Sequence, residues 1–258
     1  MELLKQERLG EYLERLKLKG IRSVLAGICE DAVKKQLSYT EFLDELLAIE
    51  VSERTKIEIG RRVKAAQFPY LKRLEQFDFK VCPSVEARRL KELLTLRFIA
   101  ECENVIFLGP PGVGKTHLAI GLGVAACEAG KRVYFTTFDD LIMGISHCVD
   151  ERRLKQRMRR LLRPEVLIID ELGYTPLDKT AANIFFKVIA KRYECGSIIL
   201  TSNRSYGEWG EIFPDVVLAS AILDRLVHHS ITFNIIGESY RLREKKKAGL
   251  LTGELKKV

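Results

Sequence analysis

Apolar residues recur at three- and four-residue spacing near the start of the chain, first as Leu9, Leu13 and Leu16, then as Phe42, Leu46 and Ile49 with Leu43 and Leu47 beside them. That period lines up one face of a helix, so residues 1 to about 75 are predicted to be helical. Ser38 followed by Glu41 makes a capping box for the second of these helices. From about residue 100 the pattern changes to short continuous apolar runs: NVIFL (104–108), RVYF (132–135), VLIID (166–170), SIILT (197–201) and ITFNI (231–235). Strands apolar at every position need cover on both faces, and helical stretches separate them, so a parallel sheet flanked by helices is expected. The fold class is α/β with a small all-helical N-terminal domain. The proline-containing linker FDFKVCPSV (77–85) divides the two regimes, giving a helical interaction domain at 1–76 and a second domain at 77–258.

Composition adds a partner class and removes others. The 258 residues are 47% hydrophobic and 30% charged, enough for a sizeable core. A net charge of +8 and a pI near 9.1 attract polyanions, so nucleic acid is the first partner to consider, alongside a merely soluble basic surface. Six cysteines stand singly at 29, 82, 102, 127, 148 and 195, without a CxxC pair, so a zinc site is not expected. No apolar run approaches the roughly 20 residues of a membrane-spanning helix, which predicts a cytoplasmic protein with reduced thiols and no membrane partner.

The segment Gly109, Pro110, Pro111, Gly112, Val113, Gly114, Lys115 and Thr116 matches GxxxxGK[ST], directly after the first apolar strand and before a helical stretch. Its glycines let successive backbone N–H groups turn toward phosphate oxygens, and the following helix adds the positive end of its dipole. Lys115 would reach the β- and γ-phosphates of ATP and the Thr116 hydroxyl would ligate Mg2+. His117, next in the chain, stands beside the nucleotide segment, where packing is its expected part. Phe77 and Phe79 are candidates to border the adenine.

Asp170 and Glu171 end the buried run VLIID, at the strand edge where ligands bind in open α/β sheets. Asp170 suits a magnesium site, and Glu171 suits the orienting of an attacking water, since phosphoryl transfer depends on positioning and charge stabilisation. Asn203 follows the next strand at the same edge and could hold that water; alone it would be read as a turn residue.

GPPGVGKT, VLIIDE and ILTSN in this order resemble the AAA+ superfamily of ATPases. More narrowly, THLA after the phosphate loop, DELGY (170–174), AILDRLVHH (221–229) and GESYRLRE (237–244) resemble the IstB family of insertion-sequence transposition helpers, whose relatives are DnaC-type helicase loaders. RRVKAAQFPYLKRLEQFDF (61–79) is similar to the segment entering the ATPase domain in that family. The resemblance implies ATP hydrolysis with Mg2+, self-association on double-stranded DNA and a cognate transposase as partner. It also places Arg225 at the arginine finger, acting on ATP of a neighbouring subunit, and Arg241 at the second sensor within its own subunit. A DnaC-like helicase loader would share this site and differ in its N-terminal partner. A small-molecule kinase would need an acceptor pocket and a lid instead.

Between the second strand and the acid pair, Arg152, Arg153, Lys155, Arg157, Arg159, Arg160 and Arg163 outnumber Asp150 and Glu151, while Leu154, Met158, Leu161 and Leu162 keep one side apolar. Arg243, Lys245, Lys246 and Lys247 add charge in the tail, and Lys187, Lys191 and Arg192 are weaker candidates. Such clusters suit sequence-independent, salt-sensitive contacts with DNA phosphates, against the plainer reading of a solvated helix face. His228 and His229 make no metal pattern, and Trp209 is expected as a partly buried anchor.

Overall fold

The computed structural model describes residues 2–77, 79, 87–146, 150–173, 177–237, 239–240 and 243. Its contacts divide the chain into two compact units, residues 1–61 and 62–258.

The smaller unit is built from α1 (Glu2–Arg15), α2 (Lys19–Lys35) and α3 (Tyr39–Ala65), the last running past the division. Leu13, Ile21 and Leu46 form its core, with Leu18, Leu25, Ile28 and Phe42 packed on them. The predicted stripe is only half buried: Leu9, Leu16, Leu43 and Leu47 are exposed, because three helices of this size offer too little mutual surface to cover every row. The capping box forms as expected, Glu41 Oε2 accepting the Ser38 amide at 2.8 Å and Ser38 Oγ accepting the Glu41 amide at 3.3 Å. Leu18 gives α2 no side-chain cap. Glu50 of α3 supplies one, its buried carboxylate accepting the Ile21 amide at 3.2 Å and Arg54 Nε at 2.8 Å, which satisfies an N-terminal donor and suits the positive helix end.

The larger unit continues through a 3₁₀ turn (Leu74–Gln76), α4 (Ala87–Leu93), α5 (Arg97–Ala100), β1 (Asn104–Leu108), α6 (Lys115–Glu128), β2 (Val133–Thr137), α7 (Phe138–Ser146) and α8 (Glu151–Leu162). It then runs through β3 (Val166–Leu172), α9 (Lys179–Arg192), β4 (Ser197–Ser202), a second 3₁₀ turn (Tyr206–Glu211), α10 (Val216–Val227) and β5 (Ser230–Asn234). The strands pair in the order β2-β3-β4-β1-β5, every pair parallel. Each predicted apolar run thus falls on a strand. Alternate residues serve two cores: Val105, Phe107, Val166 and Ile168 pack on the side of α6, whereas Ile106, Leu108, Leu167 and Ile169 pack against α7, α9 and α10. This double cover explains the absence of polar alternation in the strands.

The division falls upstream of the boundary expected at residue 77. The Phe135 amide of β2 donates to the Ala66 carbonyl at 2.8 Å, so the segment after α3 is held by the sheet, while the linker proline had been the visible break. Trp209 is fully rather than partly buried, its Nε1 donating to the Arg204 carbonyl at 3.3 Å. Among the described residues no helix is long and apolar enough to cross a membrane.

Arg192 corrects a sequence expectation. Only 2% exposed, it cannot meet DNA, since Nη1 donates to the Leu161 and Pro164 carbonyls at 2.9 and 3.0 Å and Nη2 to the Glu165 and Ser197 carbonyls at 3.2 and 2.8 Å. The end of α8, the entry to β3 and the start of β4 are thereby tied to one guanidinium, whose pKa burial lowers to about 10.

Candidate functional site

The glycine loop leaves the end of β1, which lies between β4 and β5. The Gly109 amide donates to the Ser202 carbonyl of β4 at 3.2 Å, and the Ile235 amide after β5 donates to the Leu108 carbonyl at 2.7 Å. Gly109 and Gly112 have φ of 147° and 84°, and a side chain on either would strike the Ile235 carbonyl or Ser239 respectively, so these positions require glycine. The Tyr240 amide donates to the Gly112 carbonyl at 2.9 Å, which seats the segment beyond β5 on the loop. Arg241 itself lies outside the described residues.

Gly114 gives α6 no side-chain cap, leaving its first amides directed at the loop. Buried Lys115 donates from Nζ to the Gly109 and Pro110 carbonyls at 2.6 and 2.8 Å. An ammonium and a helix N-terminus therefore converge on one glycine turn, the donor set a polyphosphate requires.

Thr116 Oγ1 donates to Asp170 Oδ1 at 3.0 Å, and Thr201 Oγ1 donates to the same oxygen at 2.5 Å. Burial pushes the Asp170 carboxyl above its usual range, against those two hydrogen bonds and the Lys115 charge. A desolvated carboxylate beside a hydroxyl is a donor set of hard oxygens, and this pair fits magnesium.

Glu171 adopts φ of 65° where the β3–β4 register slips between Ile169 and Leu172. Its amide donates to Thr201 Oγ1 at 3.0 Å. At this bulge the continuous burial of β3 is interrupted, and Glu171 is exposed while Asp170 and Leu172 on either side are buried. Beyond β4, Asn203 holds a buried Oδ1 without a hydrogen-bond partner, which marks it as awaiting a donor such as water. Thr201, linking the Asp170 carboxylate to the Glu171 amide, is a site residue that the sequence reading missed; its signal was a hydroxyl directly after the apolar run of β4.

Two expected residues stand apart. His117 Nε2 pairs with the Arg73 carbonyl at 3.0 Å, and its ring meets Phe77 edge-on at 5.5 Å; burial lowers its pKa. Phe77 in turn meets Phe79 at 5.2 Å, and the Phe77 ring lies against the loop at Gly114. Arg225 lines a small pocket with Asn104, Ile198 and His229, at the edge where the strands start. Nη1 donates to the Ala221 carbonyl at 2.9 Å, and the guanidinium lies over Phe186 at 5.0 Å. The five-residue β1 separates that edge from the loop by about 16 Å, so Arg225 does not join the phosphate loop of its own subunit.

The basic run forms α8, capped by Asp150 Oδ1 accepting the Arg153 amide at 2.7 Å. Arg152, Arg153, Lys155, Arg159 and Arg160 are exposed. Arg153 pairs with Asp150 at 3.5 Å and Lys155 with Glu151 at 2.7 Å, surface pairs that phosphate could displace. Arg157 departs from the expectation of an outward DNA contact. It turns inward, Nη1 donating to Tyr134 Oη at 3.2 Å and Nη2 to the Asp140 carbonyl at 2.8 Å, because it shares a helix face with buried Leu161.

Comparison with known proteins places these features. The family model described as IstB-like ATP binding protein matches residues 11–248. A candidate ATP-binding protein of insertion sequence IS5376 from Geobacillus stearothermophilus is 50% identical over 241 residues, 93% of this chain and 96% of that one. Its counterpart in insertion sequence IS21 of Pseudomonas aeruginosa is 50% identical over 240 residues, 93% and 91% of the two chains. In fold, the chain is similar to crystalline DnaI (TM-score 0.54, 17% identity, 68% of this chain and 92% of that one). It is also similar to AMPPCP-bound DnaA from Aquifex aeolicus (TM-score 0.52, 20% identity, 70% and 57%).

Proposed function

Since the chain belongs to the IstB-like ATP binding protein family, we propose that it is an ATP-hydrolysing helper of DNA transposition that assembles on duplex DNA and engages a transposase. One observation carries the enzymatic part: Thr116, Thr201 and Asp170 share oxygens within hydrogen-bond reach while Glu171 is turned outward beside them. The transposition setting rests on the insertion-sequence relatives at half identity.

On this reading the loop amides and Lys115 hold the phosphates of ATP, and Thr116 with Asp170 hold magnesium. The metal, when bound, supplies neutralisation of phosphate charge. Glu171 orients the attacking water and accepts its proton, and the Asn203 amide steadies that water. Arg225 serves ATP in a neighbouring subunit, because its own phosphate loop lies across the sheet; Arg241 contacts phosphate within its subunit. Arg152, Arg153, Lys155, Arg159 and Arg160 meet DNA phosphates without reading bases. The helical region at the chain start is the docking element for self-assembly or transposase.

Phosphate release from ATP, accelerated by duplex DNA and lost in Glu171→Gln, is the expected result. Mixing Arg225→Ala with Lys115→Ala should restore activity at roughly a quarter of interfaces by random assortment, as a finger supplied in trans requires. No recovery, or normal hydrolysis by Arg225→Ala alone, discards the shared site. A helicase loader would instead retain a replicative helicase in a pull-down and ignore the transposase.

A further inference from the structure

A cavity of about 690 Å³ opens beside Asp170 and Glu171, and Arg157, Tyr134 and Asp140 also line it. Arg157 is held there by two hydrogen bonds, from Nη1 to the Tyr134 hydroxyl and from Nη2 to the Asp140 carbonyl. Its Nε is buried without a partner. A buried N–H left unmade is unfavourable, so this seat is not the best the guanidinium could find. Any side chain in place of Gly144 would strike the guanidinium, so the seat depends on that bare backbone. The cation and the two acids border one partly enclosed space, where their attraction exceeds its value in bulk water. The same helix exposes Arg152, Arg153 and Arg159 on its outside. One helix thus carries exposed arginines outward, sets Arg160 over the Tyr134 ring at 5.7 Å, and places Arg157 on the cavity that the acid pair also lines.

We propose that Arg157 is a positioning residue that carries phosphate contact on the outer face of α8 to Glu171. Duplex bound outside draws on the helix, Arg157 leaves Tyr134 and the Asp140 carbonyl, and its guanidinium crosses the cavity to steady the carboxylate that orients water. This inference rests on the reading of α8 as phosphate-binding and of Glu171 as water-orienting.

The test measures phosphate release with and without duplex DNA for the wild type, Arg157→Gln and Arg157→Lys, beside anisotropy of a labelled duplex. Arg157→Gln should bind duplex within about twofold of wild type and keep its KM for ATP, while the DNA-stimulated kcat falls roughly tenfold and lysine recovers part of the loss. Tyr134→Phe, which removes one restraint without touching the cation, should raise hydrolysis in the absence of DNA. An undiminished stimulation ratio in Arg157→Gln overturns the proposal. So does a matching loss of duplex affinity, which would make Arg157 one more phosphate contact, and so does an unchanged DNA-free rate in Tyr134→Phe. Failure of the underlying reading is distinguishable, because it appears in the wild type itself as no duplex binding or no phosphate release.

Discussion

Replacing Glu171 by glycine separates two properties that this position combines. The residue sits at φ of 65°, a left-handed conformation that costs an L-residue about 1–2 kcal/mol. Glycine removes that penalty and adds about 0.5–1 kcal/mol of backbone entropy to the unfolded chain. The Glu171 side chain is exposed, so little apolar burial is forfeited, and buried Asp170 loses a neighbouring like charge. The balance favours the glycine variant by about 1 kcal/mol, which for a unit of this size raises Tm by about 2–4 °C. Thermal denaturation followed by circular dichroism, without nucleotide, measures it. Glu171→Gln keeps the strained backbone and should melt close to wild type, while neither variant hydrolyses ATP. A glycine variant melting at or below wild type refutes the strain argument. An equal gain in Glu171→Gln refutes it differently, assigning the effect to charge.

Two further substitutions test the supports around the site. Arg192→Met strips the donors from four carbonyls and should lower stability in urea titration by about 3 kcal/mol or more, with Arg192→Lys recovering part; a loss under about 1 kcal/mol would show that water replaces the guanidinium. Glu50 is held below its ordinary value of 4.5, chiefly by the Arg54 hydrogen bond, so its stabilisation is full above that value and fades as pH falls through the lower folded one. Hydrogen exchange at the Ile21 amide should lose protection over that acidic range in the wild type, and at all pH values in Glu50→Gln; protection unchanged by the substitution removes Glu50 as the cap.

The strands and phosphate loop were legible because the physics acting on them is local. A strand covered on both faces must be apolar throughout, and a turn with φ beyond reach of other residues must be glycine, so β1 and Gly109 declare themselves. Direction was less legible. Arg157 and Arg192 belong to basic runs that look solvated, yet Arg157 stands one helical turn before buried Leu161, a sign that one arginine shares the buried face. Arg192 could not have been told from Lys191 without knowing that four carbonyls converge there. The outward turn of Glu171 was hidden for another reason, since period-two alternation carries no mark of a bulge. The division near residue 61 was missed because Ala66 is fixed by one backbone bond to β2, which has no sequence signature.

Three features of the site have one electrostatic origin. Lys115 rests on carbonyls, Asp170 is pushed above its usual range by burial, and Asn203 Oδ1 has no partner. Lys115 and two threonine hydroxyls offset part of the desolvation of Asp170, whereas Asn203 Oδ1 is buried without a donor. Phosphate would take the ammonium, a divalent cation would favour the ionised carboxylate, and water would satisfy the amide. On the proposed reading, ATP with magnesium would be favoured by all three groups and should stabilise the larger unit as ligand concentration rises. Of these groups only Lys115 is cationic, and on this reading it holds the phosphates of bound ATP, so a further cation is needed as the phosphoryl group departs. Arg225 stands about 16 Å away across the sheet, so on this reading a lone subunit holds ATP without hydrolysing it until a second subunit arrives.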